Sequence, residues 1–225
     1  MIKVAFAITT LNEIPFEVYC NHIKCLVKWS RKYQLFLAAS YGTTLVSARE
    51  SCLNIARANK CDYILYVDSD VILPLNTLDC LISNDSDLAS GLCMRRGYPY
   101  DDVAWIRSNN GLHQPSFDPN APSVYPVEWV GGGAALFKVS SFDKLKRPYF
   151  KHVFKNGRQI YEDVYLCMKM REKGMIITID SRVQCGHLCR SWAVYPKNAH
   201  LFKKFDEDYK NIDVSCNDIP KTIIS

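Results

Sequence analysis

No apolar run in the 225 residues approaches the roughly 18 needed to cross a bilayer as a helix. The nearest, residues 63–75, is interrupted by Asp68 and Asp70. No Cys-x-x-Cys pair occurs among the ten cysteines, and the nearest spacings, Cys20/Cys25 and Cys185/Cys189, are looser than a structural zinc site uses. Cys52, Cys93 and Cys167 sit inside apolar patterns, where a reduced thiol behaves as a small hydrophobe. The first ten residues are a strand-length apolar run followed by Asn12 and Glu13, unlike the basic-then-apolar pattern of a secretory leader. These features predict a reducing, cytoplasmic setting with at most peripheral membrane contact. Dense cationic clusters are also missing. Lys and Arg exceed Asp and Glu by 28 to 23, and the short cationic runs at 144–147 and 203–204 lie beside acids. That excludes a dedicated nucleic-acid binder and suits an anionic small molecule or anionic lipid.

Glycine and proline, ten of each, are ordinary in number, and there is neither an internal repeat nor a low-complexity stretch. With 48% apolar residues the chain has enough to build one folded core. Residues 2–8, 34–39, 62–67 and 88–93 read as short buried strands. Residues 15–32, 44–59 and 74–82 read as helices, with apolar positions near 3.6 spacing. This alternation predicts an α/β fold, a Rossmann-like, mostly parallel sheet flanked by helices on both faces. Residues 95–128 hold half of the prolines and Asn109-Asn110-Gly111, which predicts loops and short strands. Beyond them the pattern predicts a strand over 129–139, a helix over 161–173, strands over 175–180 and 182–187, and a closing helix over 198–210.

Asp68-Ser69-Asp70 ends the apolar run 63–67. Ligands of parallel sheets bind beyond the carboxyl ends of strands, where paired carboxylates can hold a hard cation together with ribose or phosphate. Asp and Ser are equally common in plain solvated turns. Glu162-Asp163 opens the helix predicted over 161–173. There, acids either complement the helix dipole or supply a general base. His187, at the end of a predicted strand, reads as a satisfied core histidine or as a metal ligand.

In order along residues 1–190 stand Thr9-Thr10 with Asn12-Glu13, Ser47-Ala48-Arg49 opening a helix, Tyr-Ile-Leu-Tyr-Val-Asp-Ser-Asp at 63–70, Gly-Gly-Gly-Ala-Ala-Leu-Phe-Lys at 131–138, Glu-Asp-Val-Tyr-Leu-Cys-Met-Lys-Met at 162–170, and His187. Together these resemble the glycosyltransferases of the GT-A fold, the nucleotide-diphospho-sugar transferase fold, and especially the inverting family 2. The resemblance implies one catalytic domain over 1–210, with a nucleotide-binding half (1–93), an acceptor-binding half (94–190) and a tail at 211–225. It implies an enzyme of the hexosyltransferase type, with a UDP- or GDP-sugar donor, a carbohydrate, glycan or lipid-linked acceptor, and Mn²⁺ or Mg²⁺. Thr9 and Thr10 would line the base and ribose pocket, and Arg49 would contact the pyrophosphate. Asp68 would meet ribose or metal, and Asp70 and His187 the metal. Gly132 and Gly133 would admit the donor sugar, and Asp163 would be the base. Glu162 would bond the acceptor or cap the helix. Tyr98 and Trp105 would form an acceptor platform within a lid at 95–128.

The chain departs from the family in lacking the Pro-x-Tyr/Asn-Arg sequence after the opening strand, and in residues 95–129, which differ from the usual acceptor loop. A retaining enzyme of the same fold and a non-catalytic nucleotide-sugar-binding module stay open as alternatives. A nucleotidyltransferase would need a glycine-rich loop after its first strand, and residues 8–16 contain no glycine.

Overall fold

The computed structural model describes residues 1–10, 13–97, 99–109, 111–115, 117, 123–155, 157–189, 192–201 and 203. Seven strands form the central sheet. These are β1 (Lys3–Thr10), β2 (Gln34–Tyr41), β3 (Tyr63–Asp68), β4 (Leu88–Leu92), β5 (Val124–Pro126), β6 (Ala134–Lys138) and β7 (Ile177–Gln184). Their spatial order is β2-β1-β3-β6-β4-β7-β5. The pairings β1/β2, β1/β3 and β4/β7 are parallel, while β6 runs antiparallel to β3 and β4, and β5 antiparallel to β7. Five of the seven strands thus run in one direction and β5 and β6 in the other, so the sheet is mixed and mostly parallel.

Strand alternation sends successive side chains to opposite faces, and each face is covered by two helices. On one side Val4, Phe6, Leu65 and Val67 pack with Cys25 and Trp29 of α1 (Phe16–Trp29) and Leu78 and Leu81 of α3 (Thr77–Ser83). On the other, Ala5, Ala7, Ile64 and Tyr66 pack with Cys52, Leu53 and Ala56 of α2 (Leu45–Ala58) and Leu166, Cys167 and Met170 of α4 (Glu162–Glu172). Small residues on the α2 side of β1 let that helix lie close to the sheet. Thr44 caps α2, its Oγ1 accepting from Ser47 N–H at 3.2 Å.

Three sequence expectations are corrected. The third helix starts at Thr77, because Pro74 to Thr77 form a turn in which both Thr77 N–H and its hydroxyl donate to the Pro74 carbonyl. The strand expected over 129–139 is two. Trp129–Val130 pairs with Ala104–Ser108, and after the glycines β6 pairs with β3 and β4. A Cβ on Gly131 would lie 2.5 Å from Val103 Cγ1, so the chain passes there only as glycine. The pair expected over 175–187 is instead one strand, β7, followed by Gly186–Cys189. Asp180 and Ser181 look like a break in sequence. In the structure both are fully buried, with Asp180 bonded to the Arg182 side chain at 2.6 and 2.9 Å and Ser181 to the Ser123 backbone. The closing helix over 198–210 and the tail lie mostly outside the described residues.

The nine cysteines among the described residues are free thiols. No helix among them is long and apolar enough to cross a membrane. Leu53, fully buried between α2 and the sheet, gives a direct measure of this core. Leu53→Ala is expected to lower unfolding free energy by about 2–5 kcal/mol, read by urea denaturation. A loss below about 1 kcal/mol would mean that α2 is not packed as described.

Candidate functional site

The carboxyl ends of β1 and β3 open into a cleft of about 460 Å³ lined by Thr9, Thr10, Glu13, Asp68, Asp70, Arg96 and His187, with Thr43, Leu45 and Ala48 from the start of α2. The placement follows from the register: Thr9 pairs with Asp68 across β1/β3, so the last residues of both strands reach the same edge. Thr10 Oγ1 donates to the Glu13 carbonyl at 2.8 Å, which turns the chain from β1 toward α1. A short strand, Val71–Ile72, pairs with Gly186–Cys189 and sets His187 opposite Val71. That pairing carries His187 to Asp70, more than a hundred residues away in sequence.

Two charge clusters flank the cleft. In the first, His187 Nε2 lies 3.3 Å from Asp70 Oδ1, and Arg96 Nη1 lies 2.5 Å from Asp70 Oδ2. The other ring nitrogen of His187 is 2.8 Å from the Met94 carbonyl. Nδ1–H therefore donates there, and Nε2 is turned to the carboxylate. Burial opposes charge on His187, but the hydrogen bond and charge of Asp70 outweigh it and raise its pKa to about 9. Burial likewise pushes Asp70 up, and His187 and Arg96 together bring it below the usual carboxylate value.

The second cluster centres on two buried groups, Arg49 and Glu162, with Asp68 and Asp163 partly exposed beside them. Arg49, only 2% exposed, sits 3.3 Å from Asp68 and 3.6 Å from Glu162, with its guanidinium over the rings of Tyr66 and Phe150. Burial lowers its affinity for a proton, but the charges of Asp68, Glu162 and Asp163 more than restore it. Asp163 accepts from Gly132 N–H at 3.1 Å and from Val164 N–H at 2.7 Å. Burial raises its pKa, with Arg49 acting in the opposite direction. The same two opposed influences leave Asp68 raised. Asp68 N–H donates to the Gly133 carbonyl at 3.2 Å, so the Gly132–Gly133 backbone spans from Asp163 to Asp68.

This geometry revises several expected roles. Arg49 points at the Asp-x-Asp turn but is committed to carboxylates and closed off from the cleft, so it cannot be the open phosphate contact. Arg96, with a side chain 65% exposed, is the cation that faces the cleft. A Cβ on Gly132 would fall 2.2 Å from the Arg49 guanidinium nitrogens, so that glycine makes room for Arg49 and not for a sugar. Glu162 is 3% exposed and bonded to His152 at 2.6 Å, which removes it from any acceptor. Trp105 lies away from the cleft lining, its ring 6.2 Å from Trp129 and 5.8 Å from the Arg95 guanidinium. Tyr98 lies outside the described residues. Thr9, Thr10, Asp68, Asp70 and His187 do come together.

Sequence reasoning missed Arg96 and His152 as site residues. Arg96 follows another arginine in a stretch without periodicity, and His152 is an isolated histidine, so neither carried a local signal.

Among the described residues no three His, Cys, Asp or Glu side chains converge on a point that would hold a metal ion. Two do meet, Asp70 and His187, and the fixed Nδ1–H of His187 is the arrangement that orients a ligating Nε2. A magnesium-like cation needs only one or two carboxylates from the protein and takes its remaining ligands from phosphates and water. The donor set thus fits a shared cation, with Asp70 and His187 as its protein side. Asp68, turned to Arg49, is not part of that pair.

No family model matches the chain, and no curated protein matches it. Among solved structures the chain is similar to A197 from STIV, at 18% identity and a TM-score of 0.61, covering 88% of this chain and 91% of that one. The two share a fold. Weaker likenesses are to S. aureus TarS in complex with UDP-GlcNAc (13% identity, TM-score 0.44, 87% of this chain and 58% of that one) and to the inositol-1-phosphate CTP transferase from T. maritima (11%, 0.45, 90% and 77%). What fold and site define together is an α/β protein with a carboxylate-lined cleft at the ends of parallel strands.

Two measurements probe the clusters. Arg49→Ala is expected to cost about 3–5 kcal/mol of stability, because it takes the cation from the buried Glu162; calorimetric unfolding showing less than about 1 kcal/mol would contradict the ion-pair network around Arg49. The raised pKa of His187 makes its contribution to stability fully present below about pH 6.5. The contribution is lost as pH rises through about 9. In metal-free protein, Tm should therefore fall between these limits by more in wild type than in His187→Gln. Parallel Tm profiles would refute the Asp70–His187 ion pair.

Proposed function

We propose that this chain is a glycosyltransferase of the GT-A class, moving a hexose-type sugar from a nucleotide-diphosphate sugar to an acceptor hydroxyl with inversion. One observation carries the reading: the β1–β3 strand ends gather two threonines, two aspartates, a histidine and an exposed arginine around one open cleft. An elongated anion with a polar head fits that lining. The base and ribose lie along Thr9 and Thr10, and the diphosphate lies toward Arg96 and the Asp70–His187 pair.

The protein's own groups divide the work. Asp70 and His187 would hold Mn²⁺ or Mg²⁺, which when bound neutralises charge on the departing diphosphate. Arg96 reaches the same region from the cleft wall and can offer a paired hydrogen bond to phosphate oxygens. Arg49 orients Asp68 from beneath. Asp163 takes the acceptor hydroxyl's proton as the new glycosidic bond forms. Its raised pKa makes it a stronger base than a free carboxylate, and Arg49 keeps the ionised form accessible. The Gly132 N–H holds one Asp163 oxygen in place. Trp105, tilted against Trp129 with the Arg95 guanidinium over its ring, remains a platform for a carbohydrate, glycan or lipid-linked acceptor outside the donor cleft.

The test joins binding to turnover. Titration calorimetry with UDP- and GDP-sugars, with and without Mn²⁺, should show one nucleotide bound by wild type. Asp163→Asn should bind it equally well and transfer sugar about 10²–10⁴ times more slowly. Transfer at near wild-type rate by Asp163→Asn, or a product that keeps the donor's anomeric configuration, removes the inverting base and favours a retaining enzyme. Binding without any turnover by wild type favours a nucleotide-sugar-binding module.

A further inference from the structure

Helix α1 is apolar on two faces. Val18, His22, Cys25 and Trp29 are buried against the sheet. Phe16, Tyr19, Ile23 and Val27, spaced three and four apart, form a second stripe exposed by 75, 53, 43 and 58%. One flank of the helix is occupied: Asn21, Cys25 and Trp29 all donate to carbonyls of Leu73 or Leu75. The apolar stripe lies on the other flank and outward, toward β2.

β2 is the first strand in the sheet order and so an edge. Its Leu37 is in register with Phe6, whose ring packs on His22 and Trp29 of α1. Paired residues share a sheet face, so Leu37 and, four residues on, Tyr41 stand on the same side as α1. They are 62% and 79% exposed. The helix stripe and the strand edge lie on the same side of the sheet and together hold six of the fifteen strongly exposed large apolar side chains among the described residues. Scattered exposed residues are ordinary, but a concentration of this kind marks an interaction surface.

Beside the stripe runs a row of cations. Lys24, Lys28 and Arg31, again spaced four and three, are exposed and form no ion pair among the described residues, while Lys32 is held by Asp79. Glu17 is the one acid on this outer side of the helix. A two-fold pairing of α1 with α1 in a second copy would set these cations against one another. A surface that is apolar at depth and anionic at its face accepts both rows at once.

We propose that the outer face of α1, with the β2 edge, docks onto an anionic lipid surface. Phe16, Tyr19, Ile23 and Val27 enter the headgroup boundary, and Lys24, Lys28 and Arg31 meet the lipid charge. The stripe begins at Phe16, six residues past Thr10 of the cleft lining, so docking places the rim of the cleft near the membrane. The inference is independent of the chemistry assigned to the cleft.

Cosedimentation of the full chain with phosphatidylcholine vesicles, with and without phosphatidylserine, tests it. Wild type is expected to pellet with the phosphatidylserine vesicles and to be released by salt. Lys24→Gln/Lys28→Gln should weaken partitioning about fivefold per cation removed. Tyr19→Ser/Ile23→Ser should abolish it, with melting curves that show both variants folded. The proposal is overturned if wild type stays in the supernatant with both vesicle types, or if the folded variants pellet as wild type does. It is also overturned if wild type runs as a dimer that Tyr19→Ser/Ile23→Ser dissociates, because the face then belongs to a second copy.

Discussion

A single enclosed guanidinium holds the site together. Arg49 projects from α2 into a space bounded by Asp68 at the end of β3, Glu162 at the start of α4, and the rings of Tyr66 and Phe150. Taking a charge out of water costs several kcal/mol, and the cost is recovered only if opposite charges and hydrogen bonds are close on several sides. Two consecutive elements and a third remote in sequence, α4, must therefore meet at one point. The Tyr66 hydroxyl donates to the Arg49 carbonyl at 2.8 Å and fixes the backbone from which the side chain departs. Gly132 follows from the same demand, since any side chain there would occupy the volume of the guanidinium.

Around that point the acids separate into two sets with different freedom. Asp68, Glu162 and Asp163 share Arg49, while Asp70 is compensated by Arg96 and His187 on the open side. Carboxylates this close would otherwise raise one another's pKa and bind protons. Splitting them between a buried and an exposed cation keeps charge in the cleft without leaving the buried Glu162 unpaired. The Gly132–Gly133 backbone runs between the sets, contacting Asp163 at one end and Asp68 at the other.

Much of this architecture was legible in the sequence because it is written in local periodicity. Short apolar runs marked β1, β3 and β4, and 3.6-residue spacing marked α1 and α2, each within a few residues of its observed ends. The errors fell where a long-range contact overrules local pattern. Gly131–Gly133 looked like part of a strand, but Val103 and Arg49 press on the chain there and break it. Asp180-Ser181 looked like a break, but Arg182 and Ser123 satisfy both inside the sheet. The residues of the cleft followed the same division. Thr9, Asp68 and Asp70 sit at strand ends, which sequence can locate. That Arg49 is enclosed, that Glu162 is turned to His152, and that Arg96 rests on Asp70 depend on contacts between elements, and no spacing encodes them.

The two arginines differ in what it costs to move them, and that difference shapes how the cleft can work. Arg96 is largely in solvent, and an exposed ion pair is worth about 0–1 kcal/mol, so its bond to Asp70 exchanges readily for another anion. Arg49 is sealed, and displacing it would take the cation from the buried Glu162 at a cost of several kcal/mol. An anionic ligand entering the cleft therefore meets one cation that can turn to it at almost no cost and one that stays where it is. The fixed arginine preserves the positions of Asp68 and Asp163 while the mobile one accommodates the ligand, so binding can rearrange charge at the mouth of the site without disturbing the carboxylates behind it.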